Sequence, residues 1–319
     1  VYLKSFIKFA SLNKRMQKNI LVVYYTQTGQ LKRIVDAVTE PLETDGNIHL
    51  VYEVLKPKPA FPFPWTSDEF FQAMPESVKG IPCELEPLSI AGNEDFDLII
   101  IAYQPWYLSP SIPFHAFFQQ ETAKRLLSGK PVLTIIGSRN MWTMAHDRIR
   151  QYILEAKGIP AGNIVFRDKA PNLLSVVSII RWMFRGKKER FLKVFPPAGV
   201  SEEDIKAASR FSPIIRDALL SDDFDSLREK LVGAGAVDVL PQLVMIEKRG
   251  IIMFRLWAGF ILKKGPYGSS SRILHVRLFK YYLLAVIYLV SPLASILYYL
   301  IKPFRRRAVK KQISFYQSR

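Results

Sequence analysis

The chain contains one cysteine, Cys83, among 319 residues. A single thiol excludes a disulfide scaffold and a clustered thiolate metal centre. Cys83 sits in Ile81-Pro82-Cys83-Glu84, a loop-like context beside Pro, and reads as an incidental or buried thiol rather than a nucleophile. Histidine is nearly as scarce. His49, His115, His146 and His275 are scattered and show no zinc-like spacing. Acids are absent from one end: from Lys248 onward there are fifteen Lys and Arg and no Asp or Glu. Most of the +17 formal charge therefore lies in the last quarter. The remainder is nearly balanced, which argues against a nucleic-acid-binding core and for a specialised basic tail. Residues 1–15 are basic and mildly amphipathic but lack the apolar core and cleavage site of a signal peptide. They are expected to be a surface arm or an extension ahead of a natural start at Met16.

What is present is a strong strand, turn and helix signal. Ile20-Leu21-Val22-Val23-Tyr24-Tyr25 reads as a buried strand. Thr26-Gln27-Thr28-Gly29-Gln30 follows as a hydroxyl- and Gly-containing turn. Leu31, Ile34, Val35 and Val38 then lie on one face of an amphipathic helix. Backbone amides and the positive end of the helix dipole make such a turn an anion site, and Thr hydroxyls add donors. No Lys lies in the loop, so it is not a Walker-type nucleotide loop. It suits a terminal phosphate monoester. The alternative is a strand-to-helix turn with no ligand.

Further strands are predicted at Ile48–Val54, Asp97–Ala102, Lys130–Gly137 and Asn163–Phe166. Helical signals alternate with them, which favours a parallel α/β sheet covered on both faces. A strand order of 2-1-3-4-5 places the ends of strands one, three and four together at the switch point. Between strands two and three lies a long Pro- and aromatic-rich insertion, about 56–92, with a helix expected over 66–80. It is either a lid or a packed surface excursion. Two loops complete the set of strand ends. One runs through Gln104, Pro105, Trp106 and Tyr107; the other runs through Gly137, Ser138, Arg139, Asn140 and Trp142. Their aromatics suit a flat conjugated ring, or alternatively the core, and Gln104 and Asn140 suit a ring's polar edge. His146 and Asp147 follow at a helix start; Asp147 suits the helix N-terminus. His146 reads as a structural histidine or as a proton acceptor, since its reference pKa is near neutral.

The loop Thr26-Gln27-Thr28-Gly29-Gln30 resembles the FMN phosphate loop of flavodoxin-like proteins, whose usual form is Ser/Thr-x-Thr-Gly-x-Thr. Thr26, Thr28 and Gly29 match, and Leu31 replaces the last hydroxyl. The resemblance implies FMN as cofactor. It implies that Gln104, Pro105, Trp106, Tyr107, Gly137, Ser138, Asn140 and Trp142 surround the flavin ring, with Arg139 near its negative charge. A wider resemblance rests on VVYYTQTGQ, the Pro/Phe-rich insertion, IIGSRNMW and FPPAGVSEEDI followed by a basic apolar tail. Together these are similar to the flavodoxin-like proteins of bacterial dialkylresorcinol and flexirubin-type pigment pathways, over most of residues 16–319. That family is sometimes labelled a condensing enzyme, a role for which Cys83 is a poor nucleophile. The resemblance implies instead an aromatase that dehydrogenates a 2,5-dialkylcyclohexane-1,3-dione, made by a partner ketosynthase, to a 2,5-dialkylresorcinol. His146 would accept the proton and Arg139 would stabilise flavin or enolate charge. An NAD(P)H-dependent quinone reductase and a non-catalytic scaffold for the ketosynthase are the alternatives.

Domain organisation is read as a flavodoxin-like domain over 16–200, a helical extension over 201–245 and a basic apolar tail over 246–319. Within the tail, Tyr281 to Ile301 is uncharged for 21 residues. A straight helix of that length spans roughly 30 Å, the thickness of a hydrocarbon core. Basic residues flank both sides, so a single crossing would export the more basic end, against the positive-inside rule. Pro292 divides the segment in two. These features predict a bent, re-entrant or monotopic insertion with both basic flanks at the cytoplasmic face of the bacterial inner membrane. A tilted span and a globular helix pair are the alternatives.

Overall fold

The structure is a computed structural model that describes residues 17–318. The expected N-terminal arm lies outside the described residues. Five parallel strands form the sheet: β1 Lys18–Tyr24, β2 Ile48–Val54, β3 Leu98–Tyr103, β4 Pro131–Ser138 and β5 Ile159–Arg167. Their order is β2-β1-β3-β4-β5, the predicted 2-1-3-4-5 arrangement. In the centre, Val22 pairs with Ile100 and Ile101 with Thr134. Ile20 to Val23 and Leu98 to Tyr103 are fully buried, as runs covered on both faces must be. β5 starts earlier than predicted because Ile159, Pro160 and Gly162 also pair with β4, with Ala161 the extra residue at an irregularity opposite Val132/Leu133.

Helix α1, Gln30–Glu43, follows β1 and buries Leu31, Ile34, Val35, Val38 and Leu42 against the sheet. Gly29 precedes it at φ +79°, a left-handed conformation that costs glycine nothing. The insertion carries two short helices, α2 Ser67–Gln72 and α3 Met74–Lys79. Thr66 and Glu69 form a capping box at the start of α2. Helices α4 Ile112–Gln119, α5 Glu121–Leu127 and α6 Thr143–Glu155 flank β4, and α7 Asn172–Arg185 follows β5. Next come α8 Glu202–Lys206, α9 Ser212–Ser221 and α10 Phe224–Gly233. They complete the core, with the Ser212 hydroxyl donating to the Val38 carbonyl at 2.6 Å.

The tail begins with α11, Pro241–Leu262, then α12, Ile273–Ala285. Ile251, Phe254, Ala258, Val276 and Phe279 from these helices form a second core with Phe71, Met74 and Val78 of the insertion. The helical part of the insertion is thus packed between sheet and tail, while much of 56–64 and 80–94 stays exposed. Arg272 fixes the junction. Its buried guanidinium donates to Glu76 at 2.7 and 3.0 Å and to the Gln72 carbonyl at 3.1 Å. Beyond α12 the helix loosens into a π turn, Val286–Val290, then continues as α13, Ser291–Ile301. A tight turn, Lys302–Arg305, leads to α14, Arg306–Gln317. The irregular turns lie next to Pro292 and Pro303, where prolines remove helical hydrogen bonds.

This helical run, Ser270–Gln317, is long and apolar enough to cross a membrane, with a mean hydropathy of 2.1 and only 6 % burial in its most apolar window. Its two ends, however, fasten to the same body. Arg272 is locked to α3, and Tyr316 is fully buried, its hydroxyl donating to Asp147 at 3.4 Å.

Candidate functional site

The loops after β1, β3 and β4 converge on a cavity of about 380 Å³, within the range of small-molecule sites. Gln27, Thr28, Gln30 and Leu31 come from the first loop. Gln104 to Leu108 come from the second, and Gly137 to Met141 from the third. The other walls are apolar. Trp65, Phe70 and Phe71 belong to the insertion; Val176, Ile179, Ile180 and Met183 to α7; Ile246 and Phe254 to α11. Leu283, Leu284, Val286 and Ile287 of the tail close the far side.

In the first loop, the buried Thr26 hydroxyl has no hydrogen-bond partner. Gln27 turns away to hold the insertion, its amide donating to the Phe61 and Pro62 carbonyls at 3.2 and 2.6 Å. The Gln104 carboxamide donates to the Tyr25 carbonyl at 3.0 Å and accepts from the Gln27 amide at 3.3 Å, which ties the first two loops. Gln30 brackets Val200 through two hydrogen bonds of 3.1 and 3.0 Å. Gly199 makes this approach possible, since a Cβ there would sit 2.5 Å from the Gln30 amide oxygen and 2.8 Å from Trp182. Gln27, Gln30 and Gln104 thus act first as braces.

In the second loop, Pro105-Trp106 pairs with Ser109-Pro110 in a tight hairpin. Its corner residues Tyr107 and Leu108 have φ of +51° and +63°, a pair that the strand twist demands even without glycine. The Tyr107 hydroxyl donates to the Phe70 carbonyl at 2.5 Å. Trp106 meets Tyr25, Phe61 and Trp65 at ring separations of 6.0, 5.1 and 5.6 Å, all near edge-on. The aromatic wall is therefore continuous with the insertion.

In the third loop, Arg139 Nη1 donates to the Asn172 carbonyl at 3.2 Å, to its side-chain oxygen at 2.9 Å and to Ser175 Oγ at 3.0 Å. All three acceptors are neutral. Burial pushes this guanidinium down to about 10, and the Asp168 charge opposes the shift. Asp168 is itself held above the usual carboxylate range by burial. Asn140 donates to the Asn172 side-chain oxygen at 2.6 Å, while its own side-chain oxygen Oδ1 and the Ser138 hydroxyl are buried without partners.

Four expected site residues do not line the cavity: Thr26 and Gly29, which stay in the turn beside it, and Trp142 and His146, which lie elsewhere. Trp142 is 2 % exposed and does not line the cavity. Its indole N–H donates to the Asp238 carbonyl at 3.3 Å, and its ring meets His146 and Tyr316 at 5.7 and 6.0 Å. His146 is also 2 % exposed, with Nδ1 at 3.4 Å from the Tyr103 hydroxyl. The two are four residues apart, so they share the inward face of the chain entering α6. Tyr316 packs against that face. His146 is therefore not placed to exchange protons with a ligand in the cavity. Helix α6 starts at Thr143, so Asp147 lies within it and accepts from Tyr316 rather than capping.

The sequence reading also missed Glu247. This carboxyl, on α11, is 1 % exposed and accepts from Thr143 Oγ1 at 2.9 Å and from the Met144 amide at 3.0 Å. Burial pushes it up to about 7 against those hydrogen bonds. Its signal was available: it is the last acid in the chain, placed just before an unbroken basic stretch.

Comparison with known proteins gives structural likeness alone. No protein-family model matches the chain, and no curated protein matches it. Among solved structures, a flavoprotein from Lactobacillus acidophilus, in complex with FMN, is 17 % identical. It covers 48 % of this chain and 95 % of its own, with a TM-score of 0.37. An archaeal flavodoxin is 14 % identical and covers 63 % of this chain and 98 % of its own, at 0.34. A Fusobacterium nucleatum flavodoxin bound to flavin mononucleotide is 13 % identical and covers 44 % of this chain and 68 % of its own, at 0.28. These scores are too low to carry an argument, and the strand order decides. The fold is flavodoxin-like. The flavodoxin-like sheet supplies the three loops, while the insertion and tail supply the apolar walls.

Proposed function

We propose that the protein is an FMN-dependent oxidoreductase acting on a lipophilic ring substrate. The reading its chemistry favours is dehydrogenation of a 2,5-dialkylcyclohexane-1,3-dione to a 2,5-dialkylresorcinol. One observation supports it above the rest: a single cavity runs from the polar loops at the switch point to walls made of insertion and tail side chains.

The residues present fit FMN. The partnerless Thr26 hydroxyl lies in the strand-to-helix turn where a phosphate monoester would be held, with Thr28 and the N-terminus of α1 beside it. The partnerless Ser138 hydroxyl and Asn140 side-chain oxygen suit the polar edge of the ring, and Trp106 and Tyr107 its faces. Bound FMN supplies the two-electron acceptor that dehydrogenation requires.

The chain's own residues bind and orient the dione. A cyclic 1,3-dione is an acid whose conjugate base spreads charge over two oxygens. Arg139 holds that charge, because its present acceptors are neutral and desolvation strengthens its pull on an anion. The cavity wall offers no Asp, Glu, His or Lys among the described residues. The dione loses its acidic proton to solvent before entry and binds as the enolate, so no side-chain base is assigned to that proton, the role expected of His146. Ile179, Ile180 and Leu284 receive the alkyl chains, and apolar packing excludes water. A ketosynthase that makes the dione is the implied partner.

The test uses the full chain in detergent with FMN, mixed anaerobically with a synthetic 2,5-dialkylcyclohexane-1,3-dione. Flavin bleaching with an equal amount of resorcinol is the expected result. No bleaching with flavin demonstrably bound overturns the assignment. Rapid bleaching by a nicotinamide, followed by turnover with a quinone, would instead establish the quinone reductase, which the same flat apolar cavity accommodates.

A further inference from the structure

We infer that the tail docks on one leaflet of an anionic phospholipid bilayer without crossing it, and that the cavity exchanges its ligand with that leaflet. The inference rests on the lipophilic-ligand reading of the cavity and is independent of the flavin.

The first argument is geometric. A crossing helix must put its ends on opposite sides of roughly 30 Å of hydrocarbon. Here Arg272 is clamped to Glu76 at one end. At the other, Tyr316 is buried against Trp142, and Arg228 donates to the Ser318 carbonyl at 3.1 Å. Both ends belong to one folded body, so the segment between them is an arch. The second argument is its outer surface. Leu289, Leu293, Ile296, Leu300 and Phe304 are each more than half exposed, at 59 % to 89 %. An apolar surface this continuous in water marks a contact that removes it from water. Outer residues of α11, among them Ile252 and Leu256, add to it.

The third argument is charge, and it selects the occupant. Lys302, Arg305, Arg306, Arg307, Lys310 and Lys311 lie on the arch's descending limb, and no acid occurs anywhere after Glu247. An apolar ridge with a basic border matches the acyl region and phosphate headgroups of an anionic leaflet. A protein partner would need an acidic rim around an apolar groove; a lipid surface offers both by its nature. The fourth argument links the arch to the cavity. Leu283, Leu284, Val286 and Ile287 line the cavity, while Leu289 and Val290 of the same turns are exposed. One helix thickness separates ligand from leaflet. The partition is weakest there, where the π turn meets Pro292 and regular hydrogen bonding lapses.

The experiment uses the full chain with FMN and preformed vesicles of phosphatidylcholine, with or without phosphatidylglycerol. Flotation is expected with the anionic vesicles only, weakening about tenfold as salt is raised from low to high concentration. Equal binding to neutral vesicles, or none to either, overturns the docking. Topology is read in a Cys83→Ser background with Ser269→Cys or Ser318→Cys. An impermeant maleimide added outside should label both positions on bound protein; protection of either overturns the one-leaflet arrangement. The double variant Leu289→Asp/Leu293→Asp should stop floating while still binding FMN. Ligand exchange is read with 5-dodecylresorcinol as probe and quenching of Trp65 and Trp106 as signal. Delivered in detergent, it should quench wild type and double variant alike. Delivered in anionic vesicles, it should quench wild type only, and equal quenching of both overturns the leaflet route.

Discussion

Replacing Thr26 by Val should move two measured quantities in opposite directions. The substitution keeps the β-branched shape and deletes one hydroxyl. In the unliganded protein that hydroxyl is buried and without a partner, and an unsatisfied buried polar group costs about 1–3 kcal/mol. Thr26→Val therefore raises the stability of the protein without FMN, and the thermal midpoint rises by about 2 °C or more. With FMN present the same hydroxyl is assigned to the phosphate. A hydrogen bond to a charged group contributes about 1.5–3 kcal/mol, so the dissociation constant should rise about 10- to 150-fold. The assay is a thermal melt without cofactor, paired with a flavin fluorescence titration of both proteins. The sign change is the test, because a merely structural role for Thr26 would lower stability in both states. Unchanged FMN affinity in a more stable Thr26→Val protein would refute the phosphate assignment.

Glu247→Gln tests the buried carboxyl through pH. Its folded-state value near 7 lies above the ordinary 4.5, so the native state binds the extra proton. Stability from this group is full below about 4.5 and is lost as pH rises through 7, by on the order of 3 kcal/mol; denaturation curves for Glu247→Gln should lack that decline. Arg272→Met strands the buried Glu76 carboxylate and should cost about 3–5 kcal/mol in denaturant melts, with much of it recovered in the Arg272→Met/Glu76→Leu pair. Gly29→Ala meets open space, so only the left-handed backbone resists it. It should cost about 1 kcal/mol by the same melts, with Gly29→Asn nearer wild type. Arg139→Gln should raise the KM for the dione about tenfold or more while FMN titration stays unchanged, since its charge is assigned to substrate.

The sheet was legible because its three central strands, β1, β3 and β4, are near-continuous apolar runs, and such runs have few alternatives in an α/β chain. The strand-to-helix turn was legible because Thr26 to Gly29 is local. The cavity residues Gln104, Trp106 and Arg139 followed from strand ends alone, since topology brings those ends together. Trp142 and His146 did not follow. Their inward direction depends on Tyr316, more than 160 positions away in sequence, and no local pattern carries that information. Glu247 escaped for the same reason: its partners are Thr143 and Met144, from a helix a hundred positions earlier. The bend of the tail was readable from Pro292 and the doubled basic flanks, but the anchoring of both its ends was not.

The ion pair between Glu76 and Arg272 joins residues 196 positions apart. At a synthesis rate of about 5–20 residues per second, Glu76 leaves the ribosome roughly 10–40 s before its partner exists. For most of that interval Phe71, Met74 and Val78 have neither α11 nor α12 to rest on, although the sheet strands beside them are already arriving. The nascent chain thus carries a temporary apolar face of its own making. Its maturation is timed by translation: an early segment must wait for one made 196 residues later.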